Sequence, residues 1–540
     1  MKRKVFIVGV DGGTWSILRP AMASGYMPHL QSLVDSGASG ILTSTIPALT
    51  PPAWAAFQTG MTPGRTGIFN FAYWDKYKKK TYYVNSSALK RTIWQIAGAA
   101  AKKIALLNVP LTYPPQPING YVVGGIMTPS LDSEFTYPPG LKAELLAAVP
   151  GYHIIQSEAA RHYHSFENFT PFVEQMADII DKRAQAAQFI IKKEPLDVFM
   201  VHFQASDVLQ HFLWGYLDEN HPLYEKEKCH YIYEKFYRLL DQKIHEIRQT
   251  FTENNTDDFI TFIISDHGFQ AHTKRFNLGN WLCREGYLKL NPRADHPPLL
   301  KRFSKKLRLG WFLGRLISPK KVAAVEKYLK LDVAPFNWQE SRAFAMGRSS
   351  EGFIYLLDEN PDARGRVAAE ITEKLKQIQD PQARCPVVQN VHRKEILYRG
   401  DSLEHLPDLI IEPIPGYSFT GFYQKNEGLF HPVTSEADFH VGIHHRDGIL
   451  IAAGAGITCR NDIHGNLWDM APTILYVLQV PIERGMDGRV MEELFTAEFK
   501  NQNPVLQSDT FLPSADKGYA DFSRADEKKI EQRLRDLGYM

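Results

Sequence analysis

Short apolar runs alternate along this chain with longer stretches whose apolar residues recur at helical spacing. KVFIVGV (4–10), KIALLNV (103–109), DVFMVHF (197–203), FITFIIS (259–265) and GILIAAG (448–454) read as buried strands. Helical patterning covers the segments around 172–191, 224–250, 364–378 and 468–478. Such alternation predicts an α/β fold with a largely parallel central sheet flanked by helices. No internal repeat is visible.

Two regions interrupt the pattern. Residues 70–170 mix aromatic, proline-rich and polar stretches and read as a cap-like insertion, folding partly over the carboxyl edge of the sheet. A basic helical insertion at about 293–335 contains KRFSKKLRLGWFLGRLISPKKVAAVEKYLK (301–330), with ten Lys/Arg and one Glu. A basic amphipathic stretch suits contact with a membrane surface or the steering of an anionic substrate. The plainer reading is a solvated helical lid. The segment 496–540 is a polar tail ending in ADEKKIEQRLRDLGYM, a helical charge pattern suited to docking on the surface. The expected division is a catalytic domain over 1–495 and this tail.

Composition narrows the field. A chain of 540 residues accommodates one large domain with insertions, or two or three ordinary ones. Hydrophobic content of 44% with 23% charged residues is that of a soluble globular protein, and a net charge of +2 gives no global reason for a nucleic-acid partner. Cys229, Cys283, Cys385 and Cys459 are scattered and read as packing residues of a reduced compartment. The apolar run before Asp11 is short for a signal peptide, and no run approaches the roughly 18 apolar residues of a membrane helix. The expected location is cytoplasmic.

Candidate chemistry lies where acidic and imidazole residues meet strand ends. Asp11 ends the first strand; Asp207 and His211 follow DVFMVHF; Asp266 and His267 follow FIIS; His444 and His445 precede GILIAAG. Ligands of open α/β sheets collect beyond the carboxyl ends of strands, so the first three sets should converge there. The fourth enters a strand rather than leaving one, and its convergence does not follow from this rule. Singly, each has a bland reading as turn residue, helix cap or surface pair. Together, carboxylates and imidazoles suit Zn²⁺, with Mn²⁺ and Fe as alternatives. Three Asp and three His exceed one tetrahedral site and suit two, with a hydroxyl supplying a missing ligand. Two metals about 4 Å apart can clamp the attacking and leaving oxygens of a displacement at phosphorus.

The hydroxyl is found in PALTPPAWAAFQTG. Proline at a first helical position starts a helix at Pro51 and makes Thr50 its N-cap. Facing a metal cluster, the same geometry aims a hydroxyl and free backbone N–H groups at an anion. A threonine hydroxyl needs a base or a metal to become a nucleophile.

These segments resemble the type I phosphodiesterase/nucleotide pyrophosphatase family of the alkaline phosphatase superfamily. VGVDGG, PALTPPAWAAFQTGMTPGRTGI, DVLQH, SDHG and GIHHRDGIL carry the resemblance, in matching order, from residue 4 to about 490. It implies an alkaline-phosphatase-like core with cap or lid insertions. It also implies one metal held by Asp11, Thr50, Asp266 and His267. A second would be held by Asp207, His211 and the histidine of GIHHRDG, placed at His444 with His445 as alternative. By the resemblance, Thr50 attacks phosphorus to give a phospho-threonine, water activated by the second metal hydrolyses it, and metals and backbone N–H groups meet the developing charge. Asn70, in GIFNF, is about one position out of step with the family asparagine that contacts the phosphoryl oxygen. Thr66 stands where relatives have histidine and reads as structural. Thr50 also argues against sulfatase chemistry, which needs Cys or Ser for conversion to formylglycine.

His464, Asp462 and Asp469 resemble further ligands but read as loop and helix-start residues; His29 reads as helix packing, and His272 as a neighbour of the site. The leading expectation is a metal-dependent hydrolase of phosphate esters, diesters or pyrophosphates before monoesters. The substrate is a phosphate-ester small molecule or head group. A phosphotransferase or phosphomonoesterase of the same superfamily is the alternative. A non-catalytic, metal-stabilised binding protein is the alternative of another class.

Overall fold

The computed structural model describes residues 3–75, 80–89, 91–154, 169–255, 258–290, 336–425, 427–433, 440–511 and 522–537. The basic stretch 301–330 and the surrounding segment 293–335 lie outside the described residues. Each apolar run forms a strand. In the central sheet these are β1 (Lys4–Val10), β2 (Ala38–Thr43), β3 (Ile104–Leu107), β4 (Gly120–Val123), β5 (Thr136–Tyr137), β6 (Val198–Phe203), β7 (Phe259–Ile264), β8 (Asp447–Ala453) and β9 (Arg460–Asn466). Their spatial order is β9-β2-β8-β7-β1-β6-β3-β4-β5. β7, β1, β6, β3 and β4 run parallel, while β8 is antiparallel to both of its neighbours.

Alternate residues of β1 feed two separate cores, as a sheet covered on both faces requires. Phe6, Val8 and Val10 pack toward α2 (Phe169–Ile191) and the helix Arg238–Glu253. Val5 and Ile7 pack toward Trp54 and Phe57 of α1 (Thr50–Thr59) and toward the helix Met470–Val477.

Within the region expected as a cap-like insertion, three segments join the central sheet as β3, β4 and β5, the first of them the run expected as a buried strand. Ile104–Leu107 is buried at every position. The covering structure comes from residues 274–432, between β7 and β8. There, two four-stranded sheets share a third core that includes Phe276, Leu278, Ile354, Ile411 and Phe419.

The helix Arg524–Asp536 docks through Ile530 and Leu534. Its Arg533 guanidinium donates to the carbonyls of Ile126, Thr128 and Pro129. No helix among the described residues is long and apolar enough to cross a membrane.

Behind β6, Arg183 of α2 is buried and donates to the carbonyls of His202 at 2.6 Å and Ile154 at 2.8 Å. Among the described residues it has no carboxylate partner, and burial holds its guanidinium below its ordinary pKa. Arg183→Met should therefore leave carbonyls unpaired and lower the unfolding free energy by about 3 kcal/mol, read by urea denaturation.

Candidate active site

β1, β6 and β7 end side by side, with Val10 opposite Phe203 and Gly9 opposite Ile264. Asp11 follows β1. Asp207 and His211 lie one helical turn apart on α3 (Ala205–Leu217), which follows β6, and Asp266 and His267 follow β7. The strand order thus brings the first three sets together. The fourth joins them because β8 is antiparallel: Leu450 lies opposite Ile264, so the entry to β8 meets the exits of its neighbours.

The side chains converge and are buried. Donor atoms of Asp11, Asp266 and His267 lie within 4.8 Å of one another, as do those of Asp207, His267 and His444. His444 Nε2 is 3.1 Å from Asp207 Oδ1 and 3.0 Å from His211 Nε2. His211 Nε2 is 3.5 Å from Asp207 Oδ1. The His267 and His444 rings stack at 3.7 Å, which puts the two groups in contact.

Backbone carbonyls fix the imidazoles in one orientation. The Nδ1 of His267 meets Gly268 O at 3.2 Å, that of His211 meets Gly442 O at 3.0 Å, and that of His444 meets Ala48 O at 2.8 Å. Each Nδ1 can donate to its carbonyl, leaving Nε2 to face the cluster, as metal-ligating histidines require. Four other atoms are buried with no hydrogen-bond partner: Asp11 Oδ1, Thr50 Oγ1, Asp266 Oδ2 and His267 Nε2. Unsatisfied buried polar atoms are costly, and these four belong to the residues assigned to one metal on the strength of the resemblance. The donor set therefore fits divalent metal ions.

The electrostatics agree. Burial, with Asp266 and Asp207 nearby, raises the Asp11 pKa well above the carboxylate range. Burial and the Asp207 charge push Asp266 up to about 7. Burial also opposes the charge on Asp207, but His211 and His444 outweigh it and hold Asp207 low. Burial keeps His211 at about 4 and His267 well below the ordinary value. The site carries more carboxylate than its imidazoles can neutralise.

Thr50 is bracketed by this cluster. Ala48, two residues earlier, binds His444 through its carbonyl. Trp54, one turn later, packs at 4.8 Å against His202, whose Nε2 is 2.8 Å from Asp11 Oδ2. Gly9 leaves room for this packing, since a Cβ there would come within 2.6 Å of the Trp54 ring. Gly12, at φ +67, turns the chain after Asp11 so that its N–H reaches Asp266 Oδ1 at 3.2 Å.

The helix start corrects the reading of Thr50 as a cap. Leu49 is the cap and Thr50 the first helical residue. The Thr50 hydroxyl has no partner in the helix: Pro51 and Pro52 carry no N–H, and the Ala53 N–H goes to Leu49 O. The expected array of free N–H groups after Thr50 is therefore absent, and the prolines were the sequence signal for it.

The remaining candidates lie apart. His445 is partly exposed and accepts from the Asp447 N–H at 3.1 Å. Asn70 Oδ1 accepts from the Phe71 N–H at 2.7 Å, and no hydrogen bond joins Asn70 to the cluster among the described residues. Thr66 Oγ1 accepts from the Ile68 N–H. His272 uses both ring nitrogens, on His440 O at 2.7 Å and Ser418 Oγ at 2.8 Å. Asp462 pairs with Arg460, His464 is exposed, and Asp469 accepts from the Asn466 and Arg489 N–H groups. His29 stacks on His245 at 3.8 Å.

Two imidazoles were missed. His202 interrupts an otherwise apolar strand, and His440 stands four residues before His444; His440 stacks on His211 at 4.4 Å. Both were visible as polar residues out of pattern. Glu351, which accepts from the Ala48 N–H at 3.0 Å, left no such signal.

Comparison with known proteins gives the same picture. Human ectonucleotide pyrophosphatase/phosphodiesterase 5 is 14% identical, with a TM-score of 0.51 over 92% of this chain and 100% of that one. Phosphonoacetate hydrolase from Sinorhizobium meliloti is 14% identical, with a TM-score of 0.56 over 89% of this chain and 96% of that one. These likenesses show the alkaline-phosphatase-like fold. A search of curated proteins returns no significant match. The family model for type I phosphodiesterase / nucleotide pyrophosphatase matches residues 5–447. The chain belongs to that family of phosphoester hydrolases.

Proposed function

We propose that the protein is a two-metal hydrolase of phosphate diesters or pyrophosphates that acts through a covalent phospho-threonine on Thr50. The observation that carries this reading is the set of four orphaned, buried atoms on Asp11, Thr50, Asp266 and His267. Asp11, Thr50, Asp266 and His267 would hold one ion; Asp207, His211 and His444 would hold the second. Zn²⁺ suits this donor set, with Mn²⁺ and Fe as alternatives. Bound there, divalent ions supply charge for the phosphoryl oxygens and lower the pKa of coordinated hydroxyl and water.

The chain's own part is positioning. Thr50 Oγ1 attacks phosphorus, the P–O bond to the leaving group breaks, and the departing oxygen takes a proton. Water then attacks the phospho-threonine, frees phosphate or its monoester, and returns the hydroxyl proton to Thr50. His202 holds Asp11 through Oδ2 and leaves Oδ1 facing the site. Ala48 O fixes the His444 ring beside the nucleophile segment. A structure of murine ectonucleotide pyrophosphatase/phosphodiesterase 5 is that of an inactive threonine-to-alanine variant in complex with AMP, which supports a threonine role in this fold.

Thr50→Ala should lower hydrolysis of bis(p-nitrophenyl) phosphate by at least about 10³-fold while the metal content of the purified protein stays near that of the wild type. Assays with Zn²⁺ and Mn²⁺ on diester and monoester substrates, with and without an acceptor alcohol, separate hydrolysis from transfer. Full activity of Thr50→Ala would sink the proposal.

Metal binding should release protons, because Asp266 is pushed up to about 7, Asp11 is raised well above the carboxylate range and the Asp207 carboxylate raises His444, while His211 and His267 are already neutral. Each such proton lowers the apparent affinity about tenfold per pH unit below 7. Calorimetry at pH 6 in two buffers of different ionisation enthalpy reads the number released. Asp266→Asn should reduce it by about one.

A further inference from the structure

One sheet of the covering region turns a polar face to the cluster, and that face holds two guanidinium groups that form no salt bridge among the described residues. The sheet consists of Arg348–Ser349, Tyr417–Thr420, Lys274–Asn277 and Phe430–Pro432, in that spatial order. Arg275 lies opposite Ser418, and Arg348 opposite Thr420. Directly opposed residues, and residues two apart on a strand, share a face. Arg275, Arg348, Ser418 and Thr420 are therefore on one side, while Phe276, Tyr417 and Phe419 fill the core on the other.

Hydrogen bonds show where the polar side points. Ser418 Oγ meets His272 Nε2 at 2.8 Å, His272 Nδ1 meets His440 O at 2.7 Å, and the His440 ring stacks on His211. The strand bearing Arg348 is equally close. Two residues on, Ser350 Oγ donates to His444 O at 3.1 Å, and the next residue, Glu351, accepts from the Ala48 N–H. Two residues of strand span about 7 Å.

Neither guanidinium enters a salt bridge among the described residues, and Arg275 Nε is buried without a partner. Arg348 is exposed by surface area, and partial desolvation by its neighbours together with the adjacent Arg275 holds it below its ordinary pKa, against the pull of Glu427. Glu427 lies 3.5 Å from His431, which stands opposite Arg275 on the same face, so this carboxylate borders the two guanidinium groups without forming a salt bridge to either. Thr420 Oγ1, 1% exposed, and His440 Nε2 are likewise buried and unpartnered. Like charges set side by side repel, so this arrangement suits an anion able to take several donors at once.

We infer that Arg275 and Arg348, with Thr420, form an anion subsite that holds a second negatively charged group of the substrate, a phosphate or carboxylate, beside the group Asp207, His211 and His444. This inference rests on the hydrolase reading and adds a substrate class to it: phosphate esters whose organic group carries another anion. Specificity would then come from the covering sheet, and chemistry from the strand ends.

The test compares bis(p-nitrophenyl) phosphate with p-nitrophenyl alkyl phosphodiesters whose alkyl group ends in a carboxylate or in a phosphate. Wild-type enzyme should show a lower KM for an anion-bearing diester, and the two arms tell which anion is held. Arg348→Ala and Arg275→Ala should each raise that KM at least tenfold. Hydrolysis of bis(p-nitrophenyl) phosphate should stay within about threefold of wild type, and this unchanged activity shows that the variants fold. Arg348→Lys, which keeps charge but loses the fork, should fall between.

An equal loss on both kinds of substrate, or no preference by the wild type, overturns the subsite. If the wild type hydrolyses no diester, the hydrolase reading fails instead. Calorimetric titration of the metal-loaded protein with pyrophosphate then decides the subsite. Binding weakened at least tenfold in both alanine variants supports it, and unchanged binding removes it.

Discussion

Three carboxylates, Asp11, Asp207 and Asp266, are buried at one edge of one sheet, and the rest of the site follows from their repulsion. In a low-dielectric interior, like charges this close cannot all ionise without compensation. Their environments divide them: imidazoles stabilise the charge of Asp207, while Asp11 and Asp266 are pushed toward their neutral forms. A pocket built in this way is unfavourable by itself and becomes favourable around cations. The repulsion that opposes such a cluster when empty is the same charge that a divalent guest would neutralise.

Topology makes the pocket from distant parts of the chain. Parallel strands deliver Asp11, α3 and the Asp266–His267 pair to the same edge, as an open α/β sheet does for any ligand. One reversed strand, β8, delivers His444 to that edge from the opposite chain direction. Backbone carbonyls then set each ring, so the imidazole orientation is fixed by main chain and does not depend on which side chains surround it.

Much of this was legible in the sequence, because strands buried on both faces are written as continuous apolar runs and their ends as polar breaks. Asp11, Asp207, His211, Asp266 and His267 were found in this way. The choice between His444 and His445 was not legible from the strand pattern, since adjacent strand residues point to opposite sides and only the register settles which faces inward. The covering region escaped for a related reason. Its strands are short and mixed in polarity, with pairing partners as far apart in sequence as Lys274 and Pro432. Within residues 70–170 the run 103–109 was legible as a strand, but Gly120–Val123 and Thr136–Tyr137 were not, being short and set among prolines and polar residues. The two prolines after Thr50 were plain to read, but the missing donors they imply were not taken into account.

The main chain of Ala48 ties the cluster to the covering region: its carbonyl meets His444 and its N–H meets Glu351. Both contacts use the main chain of residue 48, whose own side chain is buried, while the partners at 351 and 444 are met through the Glu351 carboxylate and the His444 ring. The covering region is therefore not an interchangeable module. A chimera that grafts a relative's covering sheet onto this core, to exchange substrate preference, must bring its own acceptor for that N–H. Without one, the segment leading to Thr50 loses one of its outer anchors, the other being the Tyr398 hydroxyl on Ile46 O, and a graft meant to alter recognition alters turnover as well.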